Sequence, residues 1–163
     1  RLDENDVCGR IENLRDMSFS DYDAIVISDY NKGFLHVDDI QYICEKYEDV
    51  FIDTKKEIDD WIMNVKYIKI NSIEYNNNVK YIKRNDNWLK DKLIVTRGKY
   101  GCEFNGNMFD VEDVPIKDVS GAGDTFLSAL VVEYIKSQDI IKSIRFAQKC
   151  TTMVVQKQGV TTV

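Results

Sequence analysis

The chain has 163 residues, of which 44% are hydrophobic and 31% charged, and its formal net charge is −6. These proportions are typical of one soluble globular domain, while the negative charge argues against a nucleic-acid partner because phosphate backbones favour basic faces. No apolar run approaches the roughly 20 residues that span a bilayer and no signal-peptide pattern opens the chain, so we expect a cytoplasmic protein without a membrane partner.

The predicted elements alternate between strands and helices along most of the chain. Residues 1–16 are polar and mixed, and they predict a strand or loop with a short helix. Apolar residues at helical spacing predict a helix over 37–47, beginning near His36. Four short apolar runs predict strands that are buried on both faces of a sheet: 24–28, 50–53, 67–71 and 93–96.

The C-terminal third of the chain has a different pattern. Residues 101–110 predict a β-hairpin that turns at Asn105-Gly106-Asn107. Two amphipathic helices are predicted after it, one beginning near Gly121 and the other after Asp139. Together with the alternating elements upstream, this order implies an α/β fold with a parallel sheet and right-handed crossovers.

Polar residues lie at the predicted carboxyl ends of all four early strands. They are Asp29, Asp53, Asn71 and Thr96. Since ligands bind parallel sheets beyond the carboxyl ends of the strands, these residues indicate a ligand site at that edge. Asp53 by itself is interpreted as a structural or outer-shell group.

The segment Gly121-Ala122-Gly123-Asp124 opens the first of the two C-terminal helices. Its glycines remove side chains where a phosphate must approach the backbone, and a helix start offers unpaired N–H groups and the positive end of its dipole. The same dipole favours an ionised Asp124, and a carboxylate beside an anion site suits phosphoryl transfer. Taken alone, these four residues are at least as typical of a loop with an ordinary helix cap as of a phosphate-binding site.

The longer segment Asp118-Val119-Ser120-Gly121-Ala122-Gly123-Asp124-Thr125-Phe126 resembles a family signature. PfkB/ribokinase carbohydrate kinases carry D-T-x-G-A-G-D-x-F or a near variant there. Asn71-Ser72-Ile73-Glu74 resembles the N-x-x-E motif of the same family, which helps to hold magnesium and phosphates. The segment 95–101 resembles the V-T-x-G-x-x-G nucleotide loop, and 147–159 resembles the helix that lines the adenine pocket.

The resemblance implies a ribokinase-like, three-layer α/β fold and ATP-dependent transfer of the γ-phosphate to a sugar or sugar-phosphate hydroxyl. Asp124 would be the general base, and the amides of Gly121, Ala122 and Gly123 would hold the transferred group. The implied ATP-binding residues are Asn71, Glu74, Thr96, Arg97, Gly98, Gly101, Gln148 and Thr151.

The same resemblance implies the metal ions. Glu74 and Asn71 would hold Mg²⁺, and Asp118 would bind a monovalent cation such as K⁺. A local cap is the alternative for Asp118, and a solvated surface position is the alternative for Arg97. Gln148 departs from the family, in which Asn is common near the adenine.

A narrower resemblance links the chain to the kinase domains of ADP-heptose synthases. Those domains carry R-L-D, S-D-Y-x-K-G, D-P-K and G-T-S-T-V, and the matching segments here are 1–3, 28–33, 53–55 and 159–163. The resemblance implies phosphorylation of D-glycero-D-manno-heptose 7-phosphate at its anomeric hydroxyl. Thr54 stands where those kinases have Pro.

Members of this family are longer than the chain, and the resemblance covers only their C-terminal half. We therefore expect residues 1–163 to be one partial kinase domain without the N-terminal half, its lid and most of the sugar pocket. Its partner would be that missing half or a second copy in a homodimer. Two alternatives stay open: a non-catalytic relative that serves as a binding or assembly module, and a kinase for another small alcohol.

The cysteines predict a reduced protein. Cys8, Cys44, Cys102 and Cys150 form no C-x-x-C pair. They therefore fit neither a zinc site nor a disulfide framework, and we expect four buried thiols.

Overall fold

A computed structural model describes residues 7–159 and 161–163. The segment Arg1-Leu2-Asp3 and residue Val160, both part of the narrower resemblance, lie outside the described residues. In the described part of the chain, no helix is long and apolar enough to cross a membrane.

Six strands form one sheet in the order in which they occur along the chain. They are β1 (Ile25–Asp29), β2 (Val50–Thr54), β3 (Tyr67–Asn71), β4 (Leu93–Thr96), β5 (Cys102–Phe104) and β6 (Asn107–Phe109). The first four are parallel, and β5 and β6 add an antiparallel hairpin beside β4. The four predicted strands and the hairpin are confirmed, although Asn107 begins β6 and is not part of the turn.

The helices are α1 (Val37–Lys46), α2 (Ser72–Asn77), α3 (Val79–Arg84), α4 (Asp86–Leu89), α5 (Ala122–Ser137) and α6 (Ile140–Val155). Short 3₁₀ turns lie at Leu14–Asp16, Asp60–Ile62 and Gly98–Tyr100. His36 is the N-cap of α1, as predicted, and it forms a capping box with Asp39. The two long C-terminal helices also begin where the sequence predicts.

Two apolar clusters cover opposite faces of the sheet. Ile52 and Ile68 pack in the cluster that includes residues of α1, α3 and α4. Phe51 and Ile94 pack in the cluster that includes residues of α5 and α6. Neighbouring strand residues thus face opposite layers, as the continuous apolar runs predict. The three-layer α/β architecture is confirmed.

β1 is the terminal strand of the described sheet. Its neighbour on one side is β2, and no strand in the described residues pairs with its other edge. Val26, the second residue of β1, is 44% exposed, although it belongs to an apolar run typical of a strand buried on both faces. This edge of the described sheet is therefore partly open.

The prediction of four buried thiols is wrong for one cysteine. All four cysteines are free, and Cys44, Cys102 and Cys150 are buried, but Cys8 is exposed. Cys8 lies in the segment before β1, where its N–H donates to the carbonyl of Lys32 at 2.7 Å. It is therefore fixed by its backbone on the surface and is not part of the core.

Candidate active site

A polar cavity of about 150 Å³ lies at the carboxyl edge of the parallel strands. We call it the polar cleft. It is lined by residues from β1 to β3, the segments that follow them and the start of α5: Ser28, Asp29, Tyr30, Asp53, Lys55, Lys69, Asn71, Glu74, Gly121, Gly123 and Asp124. Three of the four polar strand-end residues, Asp29, Asp53 and Asn71, therefore meet here. Thr96 lies in a neighbouring cavity.

Asp124 occupies the first turn of α5 and is held from β1. Its Oδ1 accepts a hydrogen bond from the Ser28 hydroxyl at 3.0 Å, and its Oδ2 accepts one from the Tyr30 hydroxyl at 3.0 Å. Burial, followed by the bond to Asp124, raises the pKa of Tyr30. The sequence identifies Ser28 and Tyr30 only as part of the segment 28–33 that resembles a kinase motif. It does not predict their contact with Asp124.

The start of α5 faces the same cleft. The N–H of Thr125 donates to Gly121 and that of Ala122 to Val119. The N–H groups of Gly123 and Asp124 are among the first four of the helix, which have no intrahelical acceptor. They lie at the positive end of a 16-residue helix, so the cleft offers anion-binding amides beside a carboxylate.

A buried ion pair forms one wall of the polar cleft. Lys69, in the middle of β3, is 5% exposed, and its ammonium pairs with the Asp53 carboxylate of β2. A methyl group at Gly123 would lie 2.9 Å from Lys69 Nζ, so a side chain at this position would displace the end of the lysine. Lys69 was missed in the sequence, although a lysine within an otherwise apolar strand was the available signal.

Asn71 and Glu74 form a capping box at the start of α2. The Asn71 side chain accepts from the N–H of Glu74, and the Glu74 carboxylate accepts from the N–H and the side-chain amide of Asn71, at 2.7 and 2.9 Å. The described residues contain no group of three or more His, Cys, Asp or Glu side chains arranged to hold a metal. Mg²⁺ is commonly bound by one or two carboxylates together with phosphate oxygens and water, and the oxygen donors of this cleft fit that mode.

A second cavity, of about 210 Å³, adjoins the polar cleft. We call it the apolar cavity. Phe126 of α5 and Val155 of α6 line it, together with Thr96, Gly98, Gly101, Gln148 and Thr151 of the predicted nucleotide site. Gly123 lines both cavities. The two spaces therefore meet at the start of α5.

Not every predicted nucleotide residue is directed into the apolar cavity. Arg97 pairs with Glu103 at 2.7 Å and lies over the Tyr75 ring, and it lines neither cavity. Gln148 is buried and donates to the carbonyl of Phe109, which fixes its amide against β6. Gly101 also approaches Phe109 so closely that a methyl group would lie 2.0 Å from its carbonyl oxygen.

Asp118 fastens the loop before α5 to the end of the chain. Its carboxylate accepts from the N–H of Ser120 at 2.8 Å and of Gly159 at 3.1 Å. These backbone donors, Ser120 first, hold the pKa of the Asp118 carboxyl below its usual range. The Asp118 carboxylate thus links two backbone segments, and cation binding by Asp118 stays a prediction.

A buried polar network supports the β1 side of the cleft. The Thr54 hydroxyl donates to Asp29 at 2.8 Å, and Lys56 contacts both Asp29 and Asn31, at 3.2 and 3.0 Å. Thr54 also accepts from the N–H of Lys56. The Thr that departs from the resembled D-P-K motif therefore has a hydrogen-bonding role that Pro could not fill.

Comparison with solved structures defines the fold class. Arabidopsis thaliana ribokinase complexed with ribose and ATP superposes with a TM-score of 0.69 at 16% identity, over 88% of this chain and 55% of that chain. Escherichia coli phosphofructokinase-2 in complex with potassium gives a TM-score of 0.63 at 17% identity, over 82% of this chain and 51% of that one. The chain has the ribokinase-like fold.

Comparison of sequences gives the family. The chain matches the pfkB family carbohydrate kinases over residues 37–163. The bifunctional protein HldE of Nitratiruptor sp. is 30% identical over 169 residues, covering 94% of this chain and 36% of the relative. This chain belongs to the pfkB family of carbohydrate kinases. It spans about a third of the length of that relative and about half of each solved kinase.

Proposed function

We propose that this chain supplies the nucleotide site and the catalytic base of an ATP-dependent carbohydrate kinase. The observation that carries the proposal is the junction at Gly123, where an apolar cavity meets a cleft that contains a carboxylate and helix-start amides. The apolar cavity suits the base of a nucleotide, since ligand pockets are mostly apolar with a few polar groups. The polar cleft suits the phosphates and the acceptor hydroxyl.

The proposed step is an in-line displacement at the γ-phosphorus. Asp124 accepts the proton of the acceptor hydroxyl as the acceptor oxygen bonds to that phosphorus, and the bond from the phosphorus to the ADP oxygen breaks. The amides of Gly121 and Gly123 at the start of α5 and the ammonium of Lys69 stabilise the charge on the transferred group. The predicted amide of Ala122 is not part of this set, because it donates to the carbonyl of Val119. Mg²⁺, held through Glu74 and Asn71, would neutralise phosphate charge.

The proposed acceptor is a phosphorylated sugar, with D-glycero-D-manno-heptose 7-phosphate as the first candidate. The 30% identity with an HldE protein and the resemblance of segment 28–33 to the S-D-Y-x-K-G motif support this choice. Lys55 lines the polar cleft, and its ammonium group favours a phosphate-bearing acceptor over a neutral sugar, whereas the ammonium of Lys69 is paired with Asp53. Cytoplasmic location is part of the same proposal, since ATP and sugar phosphates are the substrates.

The proposed domain is partial, and a further segment completes the sheet at β1. The exposed Val26 on this unpaired edge supports a neighbouring strand there, because an apolar edge is otherwise open to association. The limited coverage of the relatives agrees with this interpretation. A second copy of the chain is the other partner that this edge could accept.

A monovalent cation near Asp118 is a separate proposal. The loop that Asp118 clips leads directly into α5, so an ion there would influence the helix-start amides. The potassium complex of the phosphofructokinase-2 relative supports testing K⁺. A K⁺-dependent rise in turnover, absent in Asp118→Ala, is the expected result.

The test is Mg²⁺-dependent ATP turnover by the protein as its gene encodes it, measured with a panel of sugars and sugar phosphates. Asp124→Asn should lower kcat by about 10²–10⁴-fold, because general-base catalysis typically contributes that much. Asp21→Asn, which changes an exposed carboxylate before β1, is the matched control and should retain activity. Turnover that survives in Asp124→Asn would overturn the assignment of the base, and a wild-type protein inactive on the whole panel would favour a non-catalytic relative.

A further inference from the structure

Two hydroxyl groups of β1 and its following segment hold the two oxygens of one carboxylate. Ser28 donates to Asp124 Oδ1 and Tyr30 donates to Oδ2, each at 3.0 Å. The partners are 96 and 94 residues apart in sequence, so these bonds depend on the packing of α5 beside β1. Asp124 thus has a defined orientation although its side chain is exposed.

The Tyr30 ring is itself held in place. The ammonium of Lys55 lies 4.4 Å from the ring centroid, within the range of a cation–π contact. Tyr30 is 48% exposed, and it lines the polar cleft together with Lys55 and Asp124. The ring therefore connects the strand segment 53–55 to the carboxylate at the start of α5.

We infer that Ser28 and Tyr30 are positioning residues of the proposed phosphoryl transfer, and that they orient the Asp124 carboxylate toward the acceptor hydroxyl. Each carboxylate oxygen can accept about two hydrogen bonds, so one bond per oxygen leaves acceptor capacity for the substrate proton. A base held within a narrow range of orientations reacts more often in a productive geometry. This inference rests on the proposed function, which makes Asp124 the base.

The same two bonds could instead serve only to fasten α5 to β1. Burial of α5 already does that, since Leu127 and Leu130 are 2% and 0% exposed in the core. Two hydrogen bonds at a solvent-exposed carboxylate add little to such an anchor. A positioning role therefore predicts a loss of kcat in variants of Ser28 and Tyr30, whereas a fastening role predicts a loss of stability.

The test is a double-mutant cycle between Tyr30→Phe and Asp124→Asn in the protein as its gene encodes it. We expect Tyr30→Phe to lower kcat about tenfold while the KM for ATP and the melting temperature stay within error, and to add no further loss in the Asp124→Asn background. Ser28→Ala should lose activity in the same way and Ser28→Thr should restore it. Tyr22→Phe, which removes the hydroxyl of a 70% exposed tyrosine before β1, is the control and should be neutral.

Additive losses in the cycle, or a fall in melting temperature that parallels the fall in kcat, would overturn the positioning role while leaving the kinase assignment intact. Absence of turnover in the wild-type protein would overturn the proposed function and this role with it. A second readout does not depend on activity: Asp124→Asn should shift the ultraviolet tyrosinate titration so that one phenol ionises at lower pH, and Tyr30→Phe should remove that phenol. An unchanged titration in Asp124→Asn would contradict the contact itself.

Discussion

The apolar cavity and the polar cleft share Gly123, but different forces form them. The apolar cavity is lined by core residues such as Phe126 and Val155, whose burial is part of folding. The polar cleft is formed by paired side chains that reach it from separate elements, such as Lys69 with Asp53 and Tyr30 with Asp124. Damage to the apolar cavity should therefore lower stability or nucleotide affinity, whereas damage to the polar cleft should lower turnover.

The largest expected effect is on stability, from Phe126→Ala in the apolar cavity. Phe126 is 4% exposed, and truncation of a buried Phe typically costs about 3–5 kcal/mol. Urea unfolding followed by circular dichroism measures the change. Val119→Ala, at a 64% exposed position that lines the same cavity, should change stability by no more than about 0.5 kcal/mol. Equal losses in the two variants would contradict the claim that burial of core residues stabilises the wall of the apolar cavity.

The next largest effect is on turnover, from Gly123→Ala at the junction. The added methyl group would lie 2.9 Å from Lys69 Nζ and 3.7 Å from Asp53 Oδ2, so the ion pair or α5 must shift. Since a displacement of about 1 Å can cost 10²-fold in rate, we expect turnover to fall by about that factor. Gly9→Ala is the control, because a methyl group there meets no atom within 4 Å. Wild-type rates in Gly123→Ala would contradict a close fit at the junction.

A smaller effect is expected on nucleotide affinity from Val155→Ala. The change removes two methyl groups from the wall of the apolar cavity, and each buried carbon is worth about 0.8 kcal/mol. ATP should therefore bind about tenfold more weakly, while kcat at saturating ATP stays close to wild type. Isothermal titration with ATP measures the affinity. A fall in kcat without a change in affinity would place the base of the nucleotide elsewhere.

The smallest effect concerns the reactivity of the buried thiols. Burial raises the pKa of Cys102 to about 12 and that of Cys44 to about 11, so both are almost entirely protonated at pH 8. Iodoacetamide reacts with the thiolate, and labelling followed by mass spectrometry should find the exposed Cys8 modified first. Cys102 and Cys44 should react only after unfolding. Rapid labelling of Cys102 in the native protein would indicate that the sheet opens beside the cavity.

The sequence predicts the apolar parts of this structure well. Continuous apolar runs and a period of 3.6 residues indicate which side chains are buried, so the strands and the starts of α5 and α6 follow from local pattern, and turn residues indicate the hairpin. The sequence indicates only a helix through Glu74 for the helical region after β3. Asn78 and Asn85, at its two breaks, hydrogen-bond to backbone carbonyls one turn earlier and divide it into three short helices.

The polar cleft was predicted only in part, because its contacts are not local. A motif identified Asp124, but no period connects it to Ser28 or Tyr30, more than 90 residues earlier. The direction of a long side chain also cannot be predicted from the local sequence. Arg97 follows a strand end, but it pairs with Glu103 and lies over the Tyr75 ring, so it lines neither cavity. Such pairs are set by strand order and helix packing, which the sequence pattern determines only indirectly.

The most direct test of the division between the two cavities is nucleotide binding by Asp124→Asn. Calorimetric titration with Mg·ADP should give the same dissociation constant as the wild-type protein, within about twofold, while turnover falls by about 10²–10⁴-fold. That result would mean that Asp124 serves the chemistry and not the binding of the nucleotide. Loss of nucleotide affinity in Asp124→Asn, or turnover that persists in it, would contradict the account.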